Sequence, residues 1–175
     1  GIKHHRIRTL IEHDINLFAY HLPLDAHPKF GNNVQLAHHL GIEITGGLVV
    51  DDPYSVGNIG RLTIPVSATQ FCRKVADVLQ REPLLVAGGD QLISTIGWCT
   101  GAAQSYIDQA AALGVDAYLS GEISEPTVHS ARELGVHYIA AGHHATERYG
   151  VQALGEYLAS TFDLQYQFID VDSPV

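Results

Sequence analysis

The chain has 175 residues, enough for one large or two small domains and for a sizeable core without disulfide or structural-metal staples. Its formal net charge of -9 argues against non-specific binding to nucleic acid or to an anionic membrane, which needs clustered Lys and Arg. No apolar run is long enough for a membrane-crossing helix, and Cys72 and Cys99 stand in no CxxC pattern, so free thiols in a reducing cytoplasm are expected.

No basic–apolar–small pattern marks a signal peptide at the start. Gly1 rather than Met opens a helix already under way, which reads as a fragment or processed product. "HRIRTLIEHD" places Ile7, Leu10 and Ile11 at helical spacing, and "INLFAY" (15–20) reads as a short apolar strand. "HLPLDAHPKFGN" is a Pro- and Gly-marked loop, after which Asn32 or Asn33 can cap a helix through "VQLAHHL" that Gly41 closes. "GGLVVDDPYSVGNIG" reads as loop, "RLTIPV" as strand, and "SATQFCRKVADVLQ" as a capped helix with Phe71, Val75, Val78 and Leu79 on one face. "PLLVAG" returns as a strand.

From residue 92 the alternation is regular: strand "LISTIGWC", a Gly turn and helix in "TGAAQSYIDQAAAL", strand "VDAYLSG". Helix "SEPTVHSARELG" follows, with Pro126 near its first turn and Gly135 after its end. Strand "VHYIAAG", helix "ATERYGVQALGEYLAST" and a final strand "LQYQFIDV" complete the chain. Strands and helices alternating at this spacing predict an α/β fold with a largely parallel sheet.

In such sheets ligands sit past the carboxyl ends of the strands. Three polar clusters fall there: "HLPLDAHP", "GEISE" and "GHHATE". His143 and Glu147 are at i and i+4, a pairing that suits Zn, Mn or Fe(II); the same segment also reads as a helix start with favourable Thr146 and Glu147. Asp25 sits in a Pro-bounded loop, either aimed at an ion or closing an Asx-turn, and His21 at a strand end can be structural. Glu122 after Gly121 is a strand-end carboxylate, whereas Glu125 and His129 can be ordinary helix residues. His4-His5 read as a basic solvated face and His38-His39 as surface. There is no GxGxxG, Walker or GxSxG motif.

"DINLFAYHLPLDAHPKFGNN", the run "GWCTGAAQSYIDQAAALGVDAYLSGEISEPTVHSARELGVHYIAAGHHATERYG" and the closing "FIDVDSP" resemble the YbgI-type dinuclear metal centre proteins of the Nif-three-like family, also labelled GTP cyclohydrolase I type 2 homologues. The resemblance covers nearly the whole chain and is weakest at about residues 46–64. It implies two similar α/β lobes around two divalent ions (Zn, Fe or Mn), subunits in a hexameric ring, and a possible nucleotide substrate. Carried over by motif, Asp25, His143 and Glu147 match metal ligands, and His144 becomes a neighbour beside the ligands, as does His21. An upstream His-His ligand pair has no match here and is expected to lie before Gly1, leaving the first lobe incomplete. On this reading residues 1–45 are the remainder of that lobe, 46–90 an inserted β-α-β segment and 91–175 the second lobe. The implied activity is hydrolytic opening of the guanine imidazole ring, with Glu122 or His129 moving the proton; the alternative is a non-enzymatic, ring-forming metal-binding scaffold.

Overall fold

The computed structural model describes all of residues 1–175. Helix α1 (Ile2–Glu12) lies exposed along its length and leads into an extended segment. A single turn, α2 (Leu22–Asp25), and helix α3 (Asn32–Leu40) follow. Strands β1 (Glu43–Gly47) and β2 (Asn58–Val66) form a hairpin, then α4 (Ala68–Leu79) and β3 (Leu84–Val86). The second half runs β4 (Ile93–Cys99), a 3₁₀ turn at Gln104–Tyr106, α5 (Ile107–Ala112), β5 (Ala117–Ser120), α6 (Glu125–Leu134), β6 (His137–Ala140), α7 (His143–Glu147) and α8 (Tyr149–Phe162).

All six strands join one mixed sheet in the order β1-β2-β4-β5-β6-β3. Pairing is parallel for β4–β5 and β5–β6 and antiparallel elsewhere, so the parallel arrangement is confined to the middle. That is where the strands are covered on both faces: every residue of β5 and β6 is buried. Alternation along these strands divides the core. Ile96, Trp98, Leu119 and Ile139 meet Leu36 and Leu40 of α3 and Phe71, Val75 and Leu79 of α4. Cys99, Tyr118 and Tyr138 meet Ile107 and Ala110 of α5 and Ala131 of α6 on the other face.

Local chemistry fixes the helix ends. Ser67 and Gln70 close a capping box on α4, with Gln70 N donating to Ser67 Oγ at 3.2 Å and Ser67 N to Gln70 Oε1 at 2.9 Å. Gly135 ends α6 with φ 70°, a left-handed conformation that costs glycine little. No helix is long and apolar enough to cross a membrane.

Several expectations change. Residues 15–20 and 164–171 are not strands; both are without regular structure and have most side chains exposed, and neither has a strand beside it to take its backbone hydrogen bonds. The expected loop from Gly46 begins inside β1, and β2 starts at Asn58 rather than Arg61. The strands of the 46–90 segment join the common sheet, β2 beside β4 and β3 beside β6. The single helix expected at 145–161 is divided at Arg148 into α7 and α8.

Candidate metal centre

Each of the three parallel strands runs out into a glycine: Gly101 after β4, Gly121 after β5 and Gly142 after β6. Their backbones are linked, Gly121 N donating to Gly101 O at 3.0 Å and Gly142 N to Gly121 O at 2.9 Å. Bare backbone is needed because α7 sits directly on this edge. A Cβ on Gly121 would lie 2.7 Å from His143 Cα, and one on Gly101 (φ +69°) would run into the Glu147 carboxylate.

Helix α7 is fixed there by Thr146, which is fully buried. Its hydroxyl donates to Gly142 O at 2.9 Å and accepts from Gly101 N at 3.1 Å, bolting the helix to the ends of two strands. The ring of His143 is thereby suspended between two carboxylates. Nδ1 faces Glu122 Oε1 at 2.7 Å, and Nε2 faces Glu147 Oε2 at 3.0 Å. Burial disfavours the imidazolium, but the Glu122 hydrogen bond and the charges of Glu147 and Glu122 outweigh it, so the His143 pKa is raised. Glu147 is also raised, chiefly by burial, with His143 pulling it down, Asp25 pushing it up and His21 pulling it down.

That coupling brings Asp25 into the same neighbourhood. Asp25 ends α2 and is nearly buried. Asn32 Nδ2 donates to Asp25 Oδ1 at 2.7 Å, and Asn33 Nδ2 donates to Asp25 O at 3.3 Å. Asn32 Oδ1 accepts from Gly150 N at 2.8 Å, and Asn33 Oδ1 from Thr100 N at 3.0 Å. Cys99 lies beneath; burial, then the charges of Asp25 and Glu147, push its thiol up to about 12, which keeps it protonated.

Among the residues the sequence singles out, the structure therefore joins His143, Glu147 and Glu122 directly, with Asp25 electrostatically coupled to them. His21, at the start of α2, is exposed and touches the group only through its charge on Glu147. His129 lies exposed on α6 with no side-chain hydrogen bond to the cluster. His144 turns the other way: its Nε2 pairs with Asp170 Oδ1 at 2.7 Å, and Arg148 Nη1 meets the other oxygen at 3.1 Å. His4 and His5 are exposed on α1, and His38 and His39 are exposed on α3, the latter against Tyr149 with ring centroids 4.3 Å apart and planes tilted by 36°.

Asn32 and Asn33 are the residues that sequence reasoning misplaces. Neither caps α3; Gly31 occupies the cap, and both amides point inward and are buried. The signal was present in "GNN", where two consecutive short amides follow the Asp25 loop, but it reads equally as a cap.

In kind, the donors fit a divalent ion. Glu122 takes the Nδ1 side of His143 and so leaves Nε2, which faces Glu147, as the nitrogen free to ligate, the arrangement by which outer partners orient a metal-binding imidazole. In number they fall short, since no group of three or more His, Cys, Asp or Glu side chains is gathered into a ligand set.

The model of the Duf34/NIF3 (NGG1p interacting factor 3) family matches residues 1–174. The GTP cyclohydrolase 1 type 2 homolog of Pseudomonas aeruginosa is 59% identical over 174 residues, 99% of this chain and 69% of that protein. Its namesake from Escherichia coli K12 is 48% identical over 175 residues, with 99% and 69% covered. A solved structure described as "protein ybgI, unknown function" superposes with a TM-score of 0.95 at 47% identity, covering 100% of this chain and 69% of that one. A protein from Thermus thermophilus superposes with a TM-score of 0.88 at 29% identity, with the same coverage. The chain thus spans about two thirds of the length of these relatives, and it belongs to the Duf34/NIF3 family.

Proposed function

We propose that this protein is a metal-dependent hydrolase that opens the imidazole ring of a purine nucleotide, with Asp25, His143 and Glu147 among the ligands of two divalent ions (Zn, Fe or Mn). The observation that carries the reading is the His143 ring held between Glu122 at 2.7 Å and Glu147 at 3.0 Å, on the carboxyl edge of the parallel strands. Bound there, divalent ions supply Lewis acidity and activate water at neutral pH.

The chain's own residues supply the rest. Glu122 orients the imidazole and, with one oxygen on Nδ1, keeps the other for proton transfer. His129, exposed and unconnected, takes no part. The raised pKa of Glu147 describes a carboxylate crowded by burial and by Asp25, a strain that a cation relieves. Remaining coordination positions fall to water, substrate oxygens or donors beyond these three. The substrate choice rests on the name the relatives carry, GTP cyclohydrolase 1 type 2 homolog; one water opens the ring to a formamide and a second releases formate, leaving the ring-opened aminopyrimidine nucleotide.

A second reading is a non-enzymatic metal-binding scaffold that assembles into a homohexameric ring. It is favoured by the large apolar side chains left exposed, among them Leu17 (73% exposed), Phe18 (77%) and Phe162 (63%). Incubation of the metal-loaded protein with GTP separates the two. Formate release that disappears in Asp25→Ala supports the hydrolase, and no release from the wild type leaves the scaffold.

A further inference from the structure

Two consecutive buried amides serve Asp25, but Asn33 bonds only its backbone carbonyl, whereas Asn32 bonds its carboxylate and reaches across to α8. Asn32 makes two hydrogen bonds to two different elements: Nδ2 to Asp25 Oδ1 at 2.7 Å, and Oδ1 from Gly150 N at 2.8 Å. Gly150 is in the first turn of α8, immediately after the α7 segment that carries His143 and Glu147, and its N–H is one of the donors a helix start leaves unpaired. Asn32, itself 6% exposed, therefore caps one helix while gripping the carboxylate of another.

The chemistry leaves little choice of residue. Asp25 only accepts and the Gly150 N–H only donates, so the residue between them must offer a donor at one end and an acceptor at the other, within the length of one short side chain. An aspartate at 32 would set two carboxylates against each other. Gly150 is matched to the amide, because a Cβ there would come within 2.6 Å of Asn32 Oδ1.

We infer that Asn32 is a positioning residue of the metal site, a buried brace that fixes the Asp25 carboxylate against the α7–α8 junction bearing Glu147. With Oδ1 engaged, Asp25 presents Oδ2 to an ion. The inference rests on the reading of Asp25 as a metal ligand, but the brace itself can be observed without metal.

The test is calorimetric titration of the intact chain with Mn²⁺ and with Zn²⁺, alongside amide hydrogen exchange in metal-free buffer. Asn32→Ser opens a space that a water can enter to satisfy both groups, which favours a folded variant. It is expected to bind metal about ten- to a hundred-fold more weakly and to exchange the Gly150 amide faster. Val75→Ala, in the core packed by α4, is expected to lower the melting temperature while leaving metal affinity unchanged. Should Asn32→Ser not fold, Gly150→Ala displaces the amide from its other side and is expected to weaken metal binding in the same way. Faster Gly150 exchange with undiminished metal affinity would reduce Asn32 to a helix cap and overturn the inference alone. Undiminished affinity in Asp25→Ala would overturn both the inference and the reading beneath it.

Discussion

His143 and Glu147, one turn apart on α7, face each other through Nε2 and Oε2 at 3.0 Å, while the opposite ring nitrogen is taken by Glu122. A helix alone does not make this geometry. It depends on Gly101 and Gly121, which let α7 rest on the strand ends, and on Thr146, which holds it there.

The Glu122 contact yields the first prediction. Glu122→Gln keeps the shape and an oxygen acceptor for Nδ1 but removes the charge that raises the His143 pKa. Metal affinity measured by calorimetry should fall about tenfold or more. The melting temperature should barely change, because the pair is substantially exposed and such pairs contribute little to stability.

Two glycines with similar backbone angles separate strain from crowding. Gly114 (φ +75°) has nothing within 4 Å of an added Cβ, whereas Gly101 (φ +69°) meets the Glu147 carboxylate. Gly114→Ala should cost only the left-handed backbone term, about 1–2 kcal/mol. Gly101→Ala should cost more in urea unfolding and weaken metal binding as well, while Gly114→Ala leaves metal binding intact.

The thiols give a pH dependence. Burial, then the charge of Glu82, raises Cys72 to about 11; burial, then Asp25 and Glu147, raises Cys99 to about 12. A folded pKa above the unfolded one means stability that is full below the unfolded value and is lost as pH rises toward the folded one. Unfolding free energy should therefore decline between about pH 9 and the range of these raised values. At pH 8 both thiols should resist alkylation in the folded chain and react readily in denaturant.

Asp170 ties the C-terminal segment to the back of α7. Its pKa is lowered, first by the His144 hydrogen bond, against a smaller opposing effect of burial, and then by Arg148. A depressed carboxylate contributes above its ordinary value and loses that contribution as pH falls through the lowered one. Asp170→Ala should release residues 170–175 to limited proteolysis at neutral pH, as acid does for the wild type. Global stability should change little, since the group is exposed.

What the sequence shows of this fold follows from range. Helices α4 and α6 are legible because their caps and apolar spacing are local, and β4, β5 and β6 because both their faces are buried and they read as apolar runs. "INLFAY" and "LQYQFIDV" carry the same composition without forming strands, since strand formation depends on a neighbour that no local pattern specifies. At the site, His143 and Glu147 stand out as chemical types just past the end of β6, whereas Asp25 stands out only as a carboxylate in a Pro-bounded loop, because the strand expected before it does not form. The direction of His144 toward Asp170 and the inward turn of Asn32 are settled by contacts 26 and 118 residues apart, and spacing carries no trace of them.

The proposed function rests on Asp25, His143 and Glu147 holding divalent metal. Its most direct measurement is elemental analysis of the protein purified without chelator, beside Asp25→Ala, His143→Ala and Glu147→Ala prepared identically. Bound Zn, Fe or Mn is expected in the wild type, with a marked loss in each variant and all three still folded. Equal metal content in the wild type and the three variants would contradict it.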